Sequence, residues 1–367
     1  MANRTYFITG GGTGGHIYPA IAVADELLKK DDVKIYYVGN PNNMEAEITK
    51  NKPYCFLPVN SFGMPRKLGF ALLKWFVCMF FGWLRCCFYI LKYRPNVVFG
   101  TGGYVSAPAL FAAITCRVPF VLHDCDANPG LVTRKLAPFA KSVSIAFDLA
   151  KRKLKNDNVY LNGNPIRDEF STLDKDTARK NLGLEDKITL CVMGGSQGAK
   201  TINYSVIPII KTLTKDYDIQ VILQTGKKNF DQTVRCLQEA YPEFSEDKNL
   251  IVKPYFDKMY EVLKASDIAI SRAGSLSISE LCASGVATIF IPYPYAAADH
   301  QRQNARYMSS NEAGLYLEDA DANSDNLLEL LLPLIKDSDK LKSIQEGAKS
   351  LAKYDGVKKI AEQIESL

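Results

Sequence analysis

Between Glu47 and Asp124 the chain has no acidic residue. Over the same stretch it carries Lys50, Lys52, Arg66, Lys67, Lys74, Arg85, Lys92, Arg94 and Arg117. Residues 1–170 hold 21 Lys+Arg against 12 Asp+Glu, and the remainder 24 against 28; the two parts sum to the formal net charge of +5. A basic first half suits an anionic partner such as nucleic acid, acidic lipid or a pyrophosphate; a solvated face with chance bias is the plainer reading. Histidine is scarce, with only His16, His123 and His300. The nine cysteines are odd in number and scattered, with no CxxC pair. That usage fits a reducing cytosol and argues against a disulfide framework or a zinc site. The opening MANRTYFITGGG reaches a strand at once and shows no apolar leader before a cleavage site. Repeats at solenoid spacing are absent too.

What is present, in 367 residues with 47% hydrophobic and 23% charged, is a globular composition of two-domain size. The first half alternates short apolar strands (TYFIT, VKIYYVG, CFLPV, NVVFG, FVLH, SVSIA) with helices over Tyr18–Lys29, Leu68–Lys92, Ser106–Thr115 and Leu131–Leu136. Such alternation predicts a parallel sheet covered on both faces. The pattern restarts at ITLCVMGG, after a linker over Leu161–Asp186. We therefore expect an α/β protein of two doubly wound, Rossmann-like domains facing a cleft. The expected bounds are residues 1–162, residues 163–340, and a tail helix over 341–367 that packs on its own domain or crosses back to the first.

Each half opens with strand, glycine loop and helix. The first loop is Gly10-Gly11-Gly12-Thr13-Gly14-Gly15-His16, and the second Gly194-Gly195-Ser196-Gln197-Gly198-Ala199. Glycine permits close backbone approach, and a helix N-terminus offers N–H groups and partial positive charge to a phosphate. Gly10-x-Gly12-x-x-Gly15 also has dinucleotide-binding spacing. A dehydrogenase, however, wants an acid at the end of the second strand to hold ribose hydroxyls. Here that strand ends Val38-Gly39-Asn40, and its counterpart ends Leu223-Gln224-Thr225. No GxxxxGK[ST] loop exists, which sets aside a P-loop NTPase.

Six ordered runs resemble the MurG family of UDP-N-acetylglucosamine transferases. They are GGGTGGHIYPA (10–20), GTGGYVSAP (100–108), GNPIR (163–167), GGSQGA (194–199), SRAGSLSISE (271–280) and DHQRQNA (299–305). The resemblance implies a GT-B fold and inverting transfer of N-acetylglucosamine from its UDP-sugar to O4 of the muramyl residue of lipid I, giving lipid II for peptidoglycan. It implies no cofactor and no active-site metal, and as partners UDP-N-acetylglucosamine, lipid I and anionic phospholipid of the inner leaflet, without nucleic acid. The expected location is peripheral, on the cytoplasmic face of a bacterial inner membrane. A UDP-sugar-dependent diacylglycerol glycosyltransferase would share the fold and remains the alternative.

Donor contacts are then expected from Thr13, Gly14, Gly15, Arg167, Gly195, Ser196, Gln197, Gly198, Phe256, Ser275, Leu276, Ser277, Glu280, Gln301 and Asn304. Glu280 is expected on the ribose, Gln301 and Asn304 on the sugar, and the Tyr255-Phe256 backbone on uracil. Acceptor contacts are expected from Gly12, Tyr104, His123, Asp126 and Asn128. Inversion needs a base for the acceptor hydroxyl and positive partners for the leaving diphosphate. His16 is the first candidate for the base and Asp124 the second; a structural hydrogen bond is the plainer role for His16. The run His123-Asp124-Cys125-Asp126 departs from the family's His-Glu-Gln-Asn, and a later family Asn is Thr133, which puts acceptor contacts in question. It also imitates a metal-binding DxD motif, although the family position implies none. Finally, LGFALLKWFVCMFFGWLRCCFYILK (68–92) is apolar around nearly its whole girth, while its uninterrupted stretch Trp75–Leu84 is short for a bilayer. An exposed interfacial patch is expected from Trp75, Phe76, Met79, Phe80 and Trp83, flanked by bases; a core helix is the plainer reading.

Overall fold

The computed structural model describes residues 4–65, 69–195 and 197–367; Arg66, Lys67 and Ser196 lie outside the described residues. The chain forms two compact units, Met1–Ile166 with Asp355–Leu367, and Arg167–Tyr354.

The first unit holds seven parallel strands: β1 (Arg4–Thr9), β2 (Val33–Gly39), β3 (Cys55–Pro58), β4 (Val97–Gly100), β5 (Phe120–Asp124), β6 (Ser142–Ile145) and β7 (Val159–Leu161), in the order β3-β2-β1-β4-β5-β6-β7. Their alternation sorts side chains to two cores. Phe7, Tyr36, Val38, Val98, Phe120 and Leu122 face one layer, with helices Phe70–Tyr93 and Gly103–Thr115. Tyr6, Ile8, Ile35, Tyr37, Val97, Phe99 and Val121 face the other, with helices Gly14–Leu27 and Gly356–Glu365. Burying each large side chain contributes on the order of 1.5–3 kcal/mol. Both faces are apolar, so only a parallel sheet sandwiched by helices satisfies the sequence.

The second unit has β8 (Thr189–Met193), β9 (Gln220–Gln224), β10 (Leu250–Lys253), β11 (Ile268–Ser271), β12 (Ala287–Phe290) and β13 (Leu315–Tyr316), ordered β10-β9-β8-β11-β12-β13. Both sheets are Rossmann-like. In each, the strand order reverses beside the first strand, between β1 and β4 and between β8 and β11, and each glycine loop leaves the carboxyl end of a strand at that reversal.

Three expectations need correction. The expected linker 161–186 begins within β7 and contains two short helices, Glu169–Thr172 and Lys175–Leu182. The tail is not one helix but two, Ser338–Ser350 in the second unit and Gly356–Glu365 in the first. The break has a packing reason: a Cβ on Gly356 would stand 2.9 Å from the Asn162 carbonyl oxygen, so glycine lets the last helix seat against residues 162–164. Ile360, Ala361 and Ile364 then complete the first unit's core.

The helix Phe70–Tyr93 is the third correction. Only Gly82, Cys86, Tyr89 and Ile90 are buried in it, and by length and composition alone it could cross a bilayer. Gly82 marks its close approach, where a Cβ would lie 3.3 Å from Val59. The tryptophans turn partly inward: Trp75 donates to the Phe62 carbonyl (2.9 Å) and Trp83 to the Thr115 hydroxyl (3.0 Å). Met79 is also half-buried. The outward stripe is instead Phe70 (81% exposed), Leu73, Phe76, Val77, Phe80, Phe81, Leu84, Phe88 and Leu91 (70%), spaced at three and four residues.

Candidate active site

The first glycine loop passes from Thr9 into the helix Gly14–Leu27, and the segment Thr101-Gly102-Gly103 after β4 runs alongside. Side chains have no room there. A Cβ on Gly10 would lie 1.9 Å from the Thr101 hydroxyl, and one on Gly12, where φ is +85°, 2.9 Å from the Tyr104 ring. His16 is half-buried, with Nδ1 3.0 Å from the Thr13 hydroxyl. The Thr101 hydroxyl donates to its carbonyl (2.6 Å). Its imidazole lies against the neighbouring loop, since a Cβ on Gly102 would stand 3.7 Å from Nε2. Gly12, Thr13, Gly14, Gly15, His16 and Tyr104 are thus gathered at the point where the strand order reverses.

The expected acceptor residues after β5 behave differently from one another. His123 is fully buried, and both ring nitrogens are engaged. Nε2 donates to Asn164 Oδ1 (3.1 Å), and Nδ1 accepts from Ser144 Oγ (3.1 Å). Burial lowers its pKa to about 4, so the ring is neutral. As placed, it braces the interior between β6 and residue 164. Asp124 accepts from the backbone N–H groups of Asp126 (3.2 Å) and Gly130 (3.0 Å), folding the loop over itself. Burial, then the charge of Asp126, raises its pKa to about 6. Cys125 is buried and its thiol donates to the Gly15 carbonyl (3.2 Å), which ties this loop to the start of the His16 helix. Asn128 Oδ1 accepts from Lys153 (2.8 Å). Among the described residues, no three His, Cys, Asp or Glu side chains gather as a metal site.

In the second unit the loop after β8 is equally tight. A Cβ on Gly194 would lie 2.1 Å from the Ala199 nitrogen, and one on Gly198, at φ +75°, 2.1 Å from the Thr225 carbonyl. Gly195, also at positive φ, faces open space. Beside this loop β11 ends, and the helix Ser275–Ser284 begins behind Gly274 with no side-chain cap. A helix start directs its first N–H groups away from the helix body, an arrangement that suits an anion. Between one and two turns further on, Glu280 keeps a little surface, yet its carboxyl is desolvated; burial raises its pKa to about 7, against the opposing charge of Arg167. No described residue donates a hydrogen bond to that carboxylate. Arg167 stacks over the Tyr260 ring at 5.3 Å. Gln301 accepts from the Tyr293 N–H (3.0 Å), and Asn304 is buried, donating to the Ala273 carbonyl (3.2 Å) just before Gly274.

Comparison with known proteins agrees with this two-part architecture. The N-terminal domain of glycosyltransferase family 28 matches residues 6–145, and its C-terminal domain residues 189–364. A Caldanaerobacter subterraneus subsp. tengcongensis protein is 36% identical over 365 residues, covering 99% of both chains. The chain belongs to glycosyltransferase family 28, with the MurG enzymes. That relative, and one from Bacillus subtilis at 33% identity covering 98% of both chains, are UDP-N-acetylglucosamine--N-acetylmuramyl-(pentapeptide) pyrophosphoryl-undecaprenol N-acetylglucosamine transferases. Among solved structures, MurG of Acinetobacter baumannii superimposes with a TM-score of 0.81 at 24% identity, over 99% of this chain and 100% of its own.

For a family 28 chain two further residues stand out, Glu45, which the sequence did not single out, and Gln224, which it marked only as a missing acid. Glu45 is buried behind the first loop, and Gln224 lies behind the second. Gln224 accepts from the Phe256 N–H (3.0 Å) and donates to the Gly195 carbonyl (3.4 Å). A dinucleotide domain would put an acid at Gln224 or Asn40 to hold ribose. Here both side chains are bonded to the protein's own backbone, Asn40 donating to the Ser61 carbonyl (2.5 Å). The absent acid was visible in the sequence; the backbone partners, 21 to 32 residues away, were not.

Proposed function

We propose that this chain transfers N-acetylglucosamine from UDP-N-acetylglucosamine to O4 of the muramyl residue of lipid I. Glu280 carries the reading: a recessed carboxyl, without a hydrogen-bond donor among the described residues, between one and two turns from the start of the helix Ser275–Ser284. A ribose offers two vicinal hydroxyls to such a group, while the helix start and the Gly194–Gly198 loop accept the diphosphate. Arg167 adds positive charge where the leaving group forms. Gln301 and Asn304 sit on the helix His300–Ser310 and read the sugar.

On the acceptor side, His16 removes the proton from the attacking hydroxyl as the carbon–oxygen bond to UDP breaks on the opposite face of the sugar. His16 suits this better than Asp124, whose oxygens already hold two backbone N–H groups. Lipid I is membrane-bound, and the outward stripe of Phe70–Tyr93 docks the enzyme on the anionic leaflet that carries it. Lys74, Arg85 and Lys92 on the same helix are exposed and add the electrostatic part. The enzyme is peripheral, on the cytoplasmic face.

The test is turnover with UDP-N-acetylglucosamine and a lipid I analogue, with diacylglycerol as competing acceptor. Glycosylated diacylglycerol as the main product would reject the reading.

A further inference from the structure

The short helix Met44–Thr49 presents Glu45 to the interior, fully buried, with no Lys, Arg or His paired to it among the described residues. A buried carboxylate without a cation is costly unless its oxygens are hydrogen-bonded. Both are. Oε2 accepts from the Gly12 N–H (3.3 Å), and Oε1 from the Asn40 N–H (3.1 Å). Two glycines make the space: a Cβ on Gly11 would lie 2.6 Å from Glu45 Oε1, and one on Gly39 2.9 Å from its Cγ. The same corner is pinned twice more. The buried Tyr37 hydroxyl donates to the Gly10 carbonyl (2.6 Å), and Asn43 donates to the hydroxyl of Tyr104, whose ring covers Gly12 (3.1 Å).

We propose that Glu45 is a positioning residue for the transfer reaction. From beneath, its carboxylate takes the Gly12 N–H that a phosphate would take from above in a dinucleotide loop, and so holds the Gly10–Gly15 turn in one conformation. The following helix start, with His16, is thereby set at a fixed place for the acceptor hydroxyl. The first loop is thus shaped by an internal anion, whereas the second, with Gly195 open to space, keeps its backbone for the donor. This inference rests on the role proposed above for His16 toward the acceptor hydroxyl.

The isosteric change Glu45→Gln leaves one acceptor oxygen and turns an NH2 toward the second N–H. In a lipid I analogue assay kcat is expected to fall about 10- to 100-fold, while the UDP-N-acetylglucosamine KM and the UDP affinity by calorimetry stay within about threefold. Amide exchange of residues 10–16 should quicken and that of 197–199 should not. If Glu45→Gln is insoluble, Tyr37→Phe removes the Gly10 bond without changing shape and should give a smaller kcat loss with the same unchanged donor KM. Variant turnover within about twofold of wild type, or unaltered exchange of residues 10–16, overturns the proposal. Wild-type protein that makes no glycosylated acceptor overturns the functional reading instead, and the exchange result still decides the role of Glu45.

Discussion

His16 was the first candidate for the base and Asp124 the second, and their surroundings differ in the same sense. Replacing His16 by Ala should lower kcat by about 10²–10⁴, the usual worth of a general base, with the donor KM little changed. Asp124→Asn should act mainly by loosening the loop 124–130, seen as a lower melting temperature. Equal kcat losses with Asp124→Asn as stable as wild type would make Asp124 the base. Glu280 makes a pH prediction. Its carboxyl has a pKa near 7 without ligand, and ribose hydroxyls donate only to the ionised form with advantage. Donor affinity should therefore rise as pH increases through about 7, with proton release on binding. Glu280→Gln should weaken UDP binding and flatten this profile, both readable by calorimetry. The glycine loops and Glu280 were legible in the sequence because short motifs impose them. Glu45, the backbone partners of Gln224 and the buried bonds of His123 were not, since each depends on groups brought together only by the folded sheet.

Among the elements, the strands were the most legible: VKIYYVG was read with the bounds that β2 has. Period-2 burial on both faces leaves little choice for such runs. The helix Phe70–Tyr93 was read correctly in place but only in part in facing: Phe76 and Phe80 point outward, whereas Trp75, Met79 and Trp83 are half-buried. A helix apolar on all sides gives no internal clue to which stripe the sheet takes. Gly82 and the Trp83 bond to Thr115 decide it, leaving Phe81, Phe88 and Leu91 outward beside Phe76 and Phe80. Burying one of these phenylalanines in lipid is worth on the order of 1.5–3 kcal/mol. Phe76→Ser with Phe81→Ser should then sharply reduce co-flotation with anionic liposomes while leaving turnover on a short-chain soluble acceptor intact. Trp83→Phe, an inward change, should leave flotation unaltered; the reverse pattern would return the docking face to the tryptophans.

At the scale of the whole chain, the two halves repeat one topology but use it differently. The first unit fills its loop from within, through Glu45, and closes its core with the last helix of the chain. The second leaves its loop and helix start open beside a desolvated Glu280. The repeat of strand, glycine loop and helix was evident in the sequence; the return of the chain terminus to the first unit was one of two options there, and Gly356 and Ile360 decide it through packing. Purified protein incubated with UDP-N-acetylglucosamine and a lipid I analogue, chelator present, is predicted to give an acceptor heavier by one N-acetylhexosamine residue in mass spectrometry. UDP release with no gain in acceptor mass, or product only when a divalent metal is restored, would contradict the proposed transfer.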